Sequence, residues 1–291
     1  MKLTNATIVR TVCQRFAQYL IPTFVLLLQA TGGHALAFNV YSTGFENPPF
    51  TVGSQLQGQD GWASGNPPFL NPTSATITNS TARTGSQSLQ IPGAAMGTFA
   101  ETAPYAAASS NFHPVNFNAT ATNSPIVTIR ADVRIDGPGL LTQDSSFAIS
   151  IAAVPNEGRY SELVLASDGF IYGLSSFGPE VLIQSVGNPL NAWHSLEIKA
   201  DFLANAYTLT YDATSFGPYP FPAGVVDNQL LRGSIVVYAL PDSGTFARSN
   251  YTARVDNFSI TAVPEPQALV LAIGAAFSAT ATFSTRRRRP A

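Results

Sequence analysis

Strict alternation of apolar and polar residues is the feature that most constrains the fold of this chain. In "IVTIRADVRID" (126–136) every second residue from Val127 to Ile135 is apolar, and the residues between them are polar or charged. Successive side chains of a strand point to opposite faces of a sheet, so this segment has one dry face and one wet face. The pattern predicts a β-strand that lies with one side on a hydrophobic core.

Similar short segments recur through the middle of the chain, separated by turns rich in Gly, Pro, Asn and Ser. They cover 146–154, 160–166, 193–201, 206–212, 234–240 and 254–262. Two stretches, 102–125 and 213–228, are rich in small residues and proline, and we expect them to be long surface loops. Many short strands at this spacing predict an all-β fold for residues 38–262, an antiparallel β-sandwich or barrel.

The first 37 residues have the parts of a secretory signal peptide. Basic residues precede an apolar run at 20–30, and Ala35 and Ala37 form the small-x-small pattern that signal peptidase recognises. An uncleaved membrane anchor is the alternative, but the apolar run is short for a bilayer crossing. The only cysteine, Cys13, lies in this segment. The mature protein is therefore expected to have no disulfide and no cysteine-bound metal.

Residues 263–291 combine a proline motif, an uncharged segment and a basic end. The motif consists of Pro264, Glu265 and Pro266. Its prolines keep the linker extended and leave the glutamate accessible. The segment 267–285 carries no charge and has about the length of one membrane crossing, which predicts a transmembrane helix. The basic end consists of Arg286, Arg287, Arg288 and Arg289. Four adjacent positive charges favour the cytoplasmic side of a membrane, so the β-rich region is expected on the outer side.

This arrangement resembles the PEP-CTERM sorting signal of Gram-negative bacteria. The resemblance implies recognition by an exosortase-like membrane sorting protease, cleavage near the Pro-Glu-Pro motif, and transfer to the cell envelope or the exopolysaccharide matrix. An ordinary C-terminal membrane anchor is the alternative.

The region between the two ends is acidic. Residues 38–266 contain all 17 acidic residues of the chain and eight of its 15 basic ones, a formal charge of −9 (8 − 17) against −2 for the whole chain. Such a surface repels phosphate backbones, so we expect no nucleic-acid partner.

Taken in order, the segments of residues 38–262 resemble the concanavalin A-like jelly roll, which includes laminin-G-like and MAM-like sandwiches. The residues that carry the resemblance are "GFE" (44–46), "GQDGW" (58–62), "TGSQSLQI" (84–91), "WHSLEIKADFLANAYTLTYD" (193–212) and "VDNFSIT" (255–261). The cysteine framework of true MAM domains is missing, and no clear lectin signature is present.

One acidic residue of the closing segment stands out. Asp256 shares the alternation of Phe258 and Ile260, which turns its carboxylate toward the core side unless a β-bulge intervenes. A carboxylate buried there needs hydrogen bonds, a cationic partner or a metal. The jelly-roll resemblance implies a structural Ca²⁺ between a first-strand Glu and a last-strand Asp, here Glu46 and Asp256. No other cofactor is expected.

The sequence contains no recognisable catalytic motif. The Glu-x-Asp-x-x-Glu pattern of glucan-hydrolysing jelly rolls is missing, as are Gly-x-Ser-x-Gly and a metal-binding pair of histidines. Acidic residues of the strands, among them Glu162, Glu197 and Asp201, are interpreted as solvated charges. His194 is interpreted as a hydrogen-bonded histidine at the edge of the core. We therefore expect a protein that is not an enzyme.

Sugar binding on an outer strand face uses exposed aromatic rings. Trp193 alternates with Glu197 and Lys199 on the polar side of its strand, and Trp62 lies in a Gly-rich turn, so both are candidate platforms. Covering the end of a sheet is the alternative role of each. The sequence as a whole predicts an exported structural or adhesive protein of the cell surface or exopolysaccharide. A carbohydrate-binding module of the envelope is the first alternative, and a glycan-active hydrolase or lyase is the second.

Overall fold

The structure is a computed structural model, and part of the chain is described in it. The described residues are 37–64, 75–96, 107–119, 121–141, 146–155, 161–175, 181–221, 229–239 and 248–264. The chain divides into two compact units, Ala37–Val263 and a second one formed by Met1–Leu36 with Pro264–Ala291. The predicted signal peptide with Ala35, the predicted transmembrane helix, Glu265, Pro266 and Arg286–Arg289 all lie outside the described residues. Among the described residues, no helix has the length and apolar character that a bilayer crossing requires.

The unit Ala37–Val263 is an all-β sandwich of two antiparallel sheets. Its described strands are β1 (Phe38–Thr43), β2 (Ala63–Ser64), β3 (Thr76–Thr78), β4 (Ser88–Pro92), β5 (Ala107–Asn118), β6 (Ile126–Asp136), β7 (Phe147–Pro155), β8 (Ser161–Ala166), β9 (Phe170–Ser175), β10 (Val181–Ser185), β11 (Trp193–Asp201), β12 (Ala206–Tyr211), β13 (Thr214–Pro220), β14 (Gln229–Ala239) and β15 (Thr252–Val263). Two short 3-10 helices, Gly93–Ala95 and Arg248–Asn250, precede β5 and β15.

We call the two sheets A and B. Sheet A has the strand order β13-β12-β11-β6-β15-β4-β3, with β1 also paired to β15. Sheet B has the order β10-β9-β8-β7-β14-β5-β2. Strands that are distant in the sequence are neighbours in both sheets, as β6 and β15 are in sheet A and β5 and β14 in sheet B. The first and last strands meet in sheet A, which brings the residues around Glu46 to those around Asp256.

The core lies between the inner faces of the two sheets, as the alternation of β6 predicts. Sheet A contributes Ile129, Ala131, Val133, Ile135, Leu196, Ile198, Val255 and Phe258, and sheet B contributes Phe147, Ile149, Ile151, Leu163, Leu165, Ile235 and Val237. These side chains are completely shielded from solvent or nearly so. Removing this apolar surface from water is the main force that holds the sheets together.

A β-bulge in β15 changes the side to which Asp256 points. The ladder between β15 and β6 shifts register between Asp256 and Ser259, and Asn257 has a φ of 49°. Asp256 therefore pairs with Asp132 on the outer face of sheet A, whereas Phe258 turns into the core. The prediction that the Asp256 carboxylate lies on the core side is wrong, because the bulge inserts one residue into the alternation.

The two predicted loops also contain strands. Within 102–125 lies β5, which pairs with β14 along most of its length, and within 213–228 lies β13, at the edge of sheet A. Both strands contain proline, which is usually kept out of central strands. In β5, Pro114 lies beside the register shift with β14 and beyond the short ladder to β2. Their composition resembles that of a loop. Pairing with the distant β14 makes β5 a strand, whereas β13 pairs with its neighbour β12.

Candidate functional site

Glu46, three residues after β1, holds the turn that precedes β4. Its Oε1 accepts hydrogen bonds from the backbone N–H groups of Ser86 (2.8 Å) and Gln87 (2.9 Å), and its Oε2 accepts one from the Ser86 hydroxyl (2.8 Å). Gly85 has a φ of +64°, and a Cβ there would overlap the Glu46 carboxylate, so the turn requires glycine. Partial burial raises the pKa of Glu46, but these hydrogen bonds outweigh it and hold the pKa below its usual value.

Asp256 is completely buried and binds the other end of the same turn. Its Oδ2 accepts the N–H groups of Arg83 (2.8 Å) and Thr84 (3.0 Å), and its Oδ1 accepts the N–H of Asn257 (2.7 Å). Burial raises the pKa of Asp256, and the nearby charge of Glu46 adds to the rise, despite the three hydrogen bonds. The two residues that the sequence pairs for calcium therefore lie at one site.

Two side-chain oxygen atoms lie close to Gly44. A Cβ at Gly44 would lie 3.6 Å from Asp256 Oδ1, 3.8 Å from Asn257 Oδ1 and 3.8 Å from Glu46 Cγ. The missing side chain thus leaves a small cradle with two oxygen atoms beside it, and oxygen atoms are the ligands that Ca²⁺ prefers. Within the described residues no group of three or more His, Cys, Asp or Glu side chains forms a metal cluster. Calcium binding by Glu46 and Asp256 stays a prediction, with carbonyl oxygens or water needed as further ligands.

Trp62 is part of the core and has no exposed ring face. Its exposed fraction is 2%, its indole N–H donates to the hydroxyl of Tyr41 (2.9 Å), and its ring lies 5.1 Å from that of Phe258. The turn closes through a hydrogen bond from the N–H of Gly58 to the carbonyl of Trp62. The prediction of Trp62 as a sugar platform is wrong, because the turn directs the ring inward and Tyr41 satisfies its donor.

Trp193, in contrast, is partly exposed on the outer face of sheet A. On the neighbouring strand β6 it is directly opposite Arg134, which in turn is opposite Arg254 of β15. Gln90 of β4 and Thr76 of β3 continue the same line. We call these five residues the Trp193 row. It spans four interstrand spacings of about 4.8 Å, roughly 19 Å in all.

An ion-pair trio lies beside the Trp193 row. The Nε atoms of Arg134 and Arg254 each lie 2.5 Å from a different carboxylate oxygen of Asp136. Burial raises the pKa of Asp136, but the two guanidinium groups outweigh it and hold the pKa below its usual value. Arg254 also donates through Nη1 to Ser80 and Gln90. Arg134 makes its described hydrogen bond through Nε, so its two terminal amino groups remain available to a ligand.

The outer face of sheet B carries a buried carboxylate. Glu162 of β8 is completely shielded from solvent. Its Oε1 accepts hydrogen bonds from the hydroxyls of Ser150 and of Tyr238 (2.7 Å), and the latter side chain is partly exposed. The interpretation of Glu162 as a solvated charge is wrong, because its side chain is completely shielded from solvent. A buried carboxylate is costly unless its hydrogen bonds compensate for the lost water.

Other polar groups of sheet B flank this carboxylate. Asp168 accepts a hydrogen bond from the hydroxyl of Tyr172 (2.5 Å), and burial raises its pKa in spite of that bond. The Arg232 guanidinium lies 4.5 Å from the ring centre of Phe112, a cation–π contact. Buried small side chains lie between them: Ala148, Ala152, Ala166, Ser150 and Ser234. The face thus combines a flat, small-residue centre with polar and aromatic side chains.

The two histidines of the sandwich have structural partners. His194 Nδ1 lies 3.0 Å from Asp212 Oδ2 and 2.7 Å from the Tyr211 hydroxyl, at the edge of the core as the sequence predicts. His113 stacks on Tyr41 with ring centres 3.6 Å apart, and burial lowers its pKa. Both rings are held by neighbouring side chains, so neither histidine by itself indicates catalysis.

The sequence contained weak signals for two groups that it did not predict. Glu162 is the one charge in the otherwise apolar strand segment "ELVLA", where a solvated residue is out of place. Arg134 follows the polar side of β6, but its opposition to Arg254 depends on the register between β6 and β15. That register is a long-range property and leaves no local pattern.

Comparison with known proteins supports the fold. No protein-family model matches the chain, and no curated protein matches it. Among solved structures it is similar to the endo-1,3-beta-glucanase from Streptomyces sioyaensis, with 8% identity over 79% of this chain and 97% of that chain and a TM-score of 0.56. It is also similar to the Emp47p carbohydrate recognition domain (10% identity, 78% of this chain, 97% of that chain, TM-score 0.45).

A third similar structure is a carbohydrate esterase from the Shiga toxin-encoding bacteriophage phi24B (14% identity, 79% of this chain, 100% of that chain, TM-score 0.44). The chain spans 17% of the length of a sialidase that it also matches. At these identities the likeness concerns the fold alone. The prediction of an antiparallel β-sandwich is confirmed, and the sandwich shares its fold with the endo-1,3-beta-glucanase.

The same comparison corrects the prediction that the protein is not an enzyme. That prediction depended on missing sequence motifs, whereas the sandwich has the fold of an endo-1,3-beta-glucanase. The fold is thus one on which a polysaccharide hydrolase is built, and the missing motifs do not exclude catalysis.

Proposed function

We propose that this protein is an exported polysaccharide-binding protein of the bacterial cell envelope or exopolysaccharide matrix. The signal-peptide pattern and the PEP-CTERM-like end support export and sorting. The jelly-roll sandwich, which an endo-1,3-beta-glucanase also has, supports an association with polysaccharide. A structural or adhesive role in the matrix follows from binding to the polymers around the cell.

The observation that carries this proposal is the position of Trp193. Its ring is partly exposed on a polar strand face, and within the described residues no other aromatic ring stacks on it. An indole ring that is not needed in the core offers an apolar surface of the size of a sugar ring, and the polar side chains of the row supply hydrogen bonds to hydroxyls. The site therefore has the two components of sugar recognition, a stacking surface and nearby polar groups.

Binding of the full chain to a panel of purified polysaccharides, measured by affinity electrophoresis, tests the proposal. We expect Trp193→Ala to weaken binding about tenfold or more, since buried aromatic anchors dominate interfaces. Leu203→Ala is the matched control, because Leu203 is an apolar side chain of sheet A that is 74% exposed at the turn after β11. Equal binding by wild type and Trp193→Ala would overturn the assignment of this site.

A glycan-active hydrolase or lyase is the second candidate, and Glu162 is the observation that favours it. A completely buried carboxylate hydrogen-bonded to a partly exposed tyrosine is a typical arrangement of groups for proton transfer. Incubation with polysaccharides and detection of reducing ends or unsaturated products tests this candidate. Activity that is lost in Glu162→Gln, with the melting temperature unchanged or raised, would support it. Activity that Glu162→Gln retains would place catalysis elsewhere.

Sorting by an exosortase-like protease is a separate part of the proposal. Glu265 and Arg286–Arg289 are the residues that the resemblance assigns to it. Replacing the four arginines by serines should leave the full-length protein in the membrane fraction of an exosortase-containing host. Release and shortening of this variant at the wild-type rate would contradict the proposal.

A further inference from the structure

The Trp193 row contains an unusual placement of charge. Arg134 and Arg254 are directly opposite each other on neighbouring strands, where like charges repel. Asp136 bridges the two guanidinium groups, but one carboxylate compensates for only one of the two positive charges. The trio keeps one net positive charge next to the ring of Trp193. An anion bound beside the ring would complete the compensation.

The available donors define the kind of anion. Asp136 occupies the Nε side of Arg134. The terminal amino groups of Arg134 make no hydrogen bond within the described residues. A guanidinium end of this kind presents two parallel N–H groups, and a planar carboxylate accepts both of them. The side chain of Arg134 is 24% exposed, so a ligand on the surface reaches it.

The surroundings restrict where an anionic polymer can bind. Residues 38–266 carry a formal charge of −9. Four basic side chains nevertheless lie on the outer face of sheet A: Arg130, Arg134, Lys199 and Arg254. Glu197 and Asp132 lie on the same face, beside Arg130 and Asp256 respectively. Among the described residues, the trio is the place on this face where a net positive charge lies beside a partly exposed aromatic ring, that of Trp193.

We infer that the Trp193 row binds a polysaccharide that carries carboxylate groups, a polymer of uronic acids, with the sugar ring on Trp193 and the carboxylate on Arg134. This inference rests on the proposed function and adds the chemical class of the ligand. The row is roughly 19 Å long, enough for several consecutive sugars to cross the strands. Gln90 and Thr76 at its far end supply neutral hydrogen-bonding groups for hydroxyls.

Polygalacturonate and alginate, each compared with its methyl ester, are suitable probes because esterification removes the charge and keeps the backbone. The full chain should bind the acid forms at least about tenfold more tightly than the esters, the ratio that 1.4 kcal/mol provides. Arg134→Gln should remove this preference, because binding of the acid forms then falls to about the level of the esters. Arg134→Lys should restore it only in part, since a lysine lacks the planar pair of donors.

Arg130→Gln is the matched control. It removes the same charge from the same face of β6, about 13 Å from Arg134, where no tryptophan is adjacent. Thermal unfolding of each variant shows whether it is folded. An equal loss of binding to the acid forms in Arg130→Gln and Arg134→Gln would mean unspecific charge attraction and would overturn the inference. Equal binding of the acid forms and their esters would overturn it too. So would binding of dextran sulfate that is stronger than binding of the carboxylate polymers. Those outcomes leave the proposed function standing if Trp193→Ala still weakens binding. Binding of no polysaccharide overturns both. No effect of Trp193→Ala overturns the inference and the assignment of the site.

Discussion

Glu46 and Asp256 hold the two ends of one turn, although they come from opposite ends of the sandwich sequence. Asp256 binds the backbone N–H groups of Arg83 and Thr84, and Glu46 binds those of Ser86 and Gln87. Four backbone donors of the turn thereby find carboxylate acceptors. The two carboxylates thus join the first strand, the turn before β4 and the last strand, which closes sheet A at this end.

Replacing Asp256 by asparagine should reduce the free energy of unfolding by about 2–3 kcal/mol, because an amide nitrogen replaces one of the acceptors at this completely buried side chain and the hydrogen bonds to the turn are lost. Urea unfolding measures the difference. Asp201→Asn is the matched control, since Asp201 also accepts two backbone N–H groups, those of Leu203 and Ala204, but its side chain is partly exposed. A cost at Asp256 no larger than at Asp201 would show that the turn does not depend on the buried carboxylate.

Calcium should stabilise the sandwich through the cradle at Gly44. For sites of the affinity typical of extracellular modules, 10 mM Ca²⁺ is about 10–100 times the dissociation constant, which raises the melting temperature by about 3–10 °C for a domain of this size. Differential scanning fluorimetry with Ca²⁺ or EDTA measures the shift. Asp256→Asn should abolish it. A wild-type protein that melts at the same temperature in Ca²⁺ and EDTA would rule out the calcium prediction.

Acid should destabilise the protein through Asp136. Its pKa is held below the unfolded-state value of about 3.9, so the unfolded chain binds more protons in that range and stability falls as the pH drops through the folded pKa. Asp136→Asn should therefore lose less stability between pH 6 and pH 3 than the wild type does. Asp256 acts in the opposite sense, because its raised pKa lowers stability as the pH rises. Asp256→Asn should show a steeper loss in acid, and parallel pH profiles in all three proteins would contradict the assignment.

The two tryptophans should differ in their effect on stability. Trp62→Ala removes a large core side chain and should cost about 3–5 kcal/mol of unfolding free energy, whereas Trp193→Ala should cost less than about 1 kcal/mol. Chemical denaturation of both variants, with Trp62→Phe as a conservative control, measures the contrast. Similar costs at both positions would mean that Trp193 is needed for folding, which would remove the physical reason for assigning it to binding.

The sequence predicts the fold well and the site only in part. The alternation in β6 predicts both its strand and its buried face, because one strand with one dry side is a local pattern. The position of Trp193 on the polar side of β11 follows from the same alternation. The sequence misplaces Asp256, because a single bulged residue reverses the side to which it points. It also misses the pairing of Arg134 with Arg254, because cross-strand register depends on the whole sheet.

The fluorescence of Trp193 during a titration with polysaccharide tests the central claim most directly. The chain has two tryptophans, so Trp193→Phe leaves the buried Trp62 as the sole indole. Binding at the Trp193 row predicts a saturable change of emission in the wild-type protein on addition of polygalacturonate or alginate, and no change in Trp193→Phe. The same saturable change in both proteins would place the polysaccharide elsewhere and contradict the account.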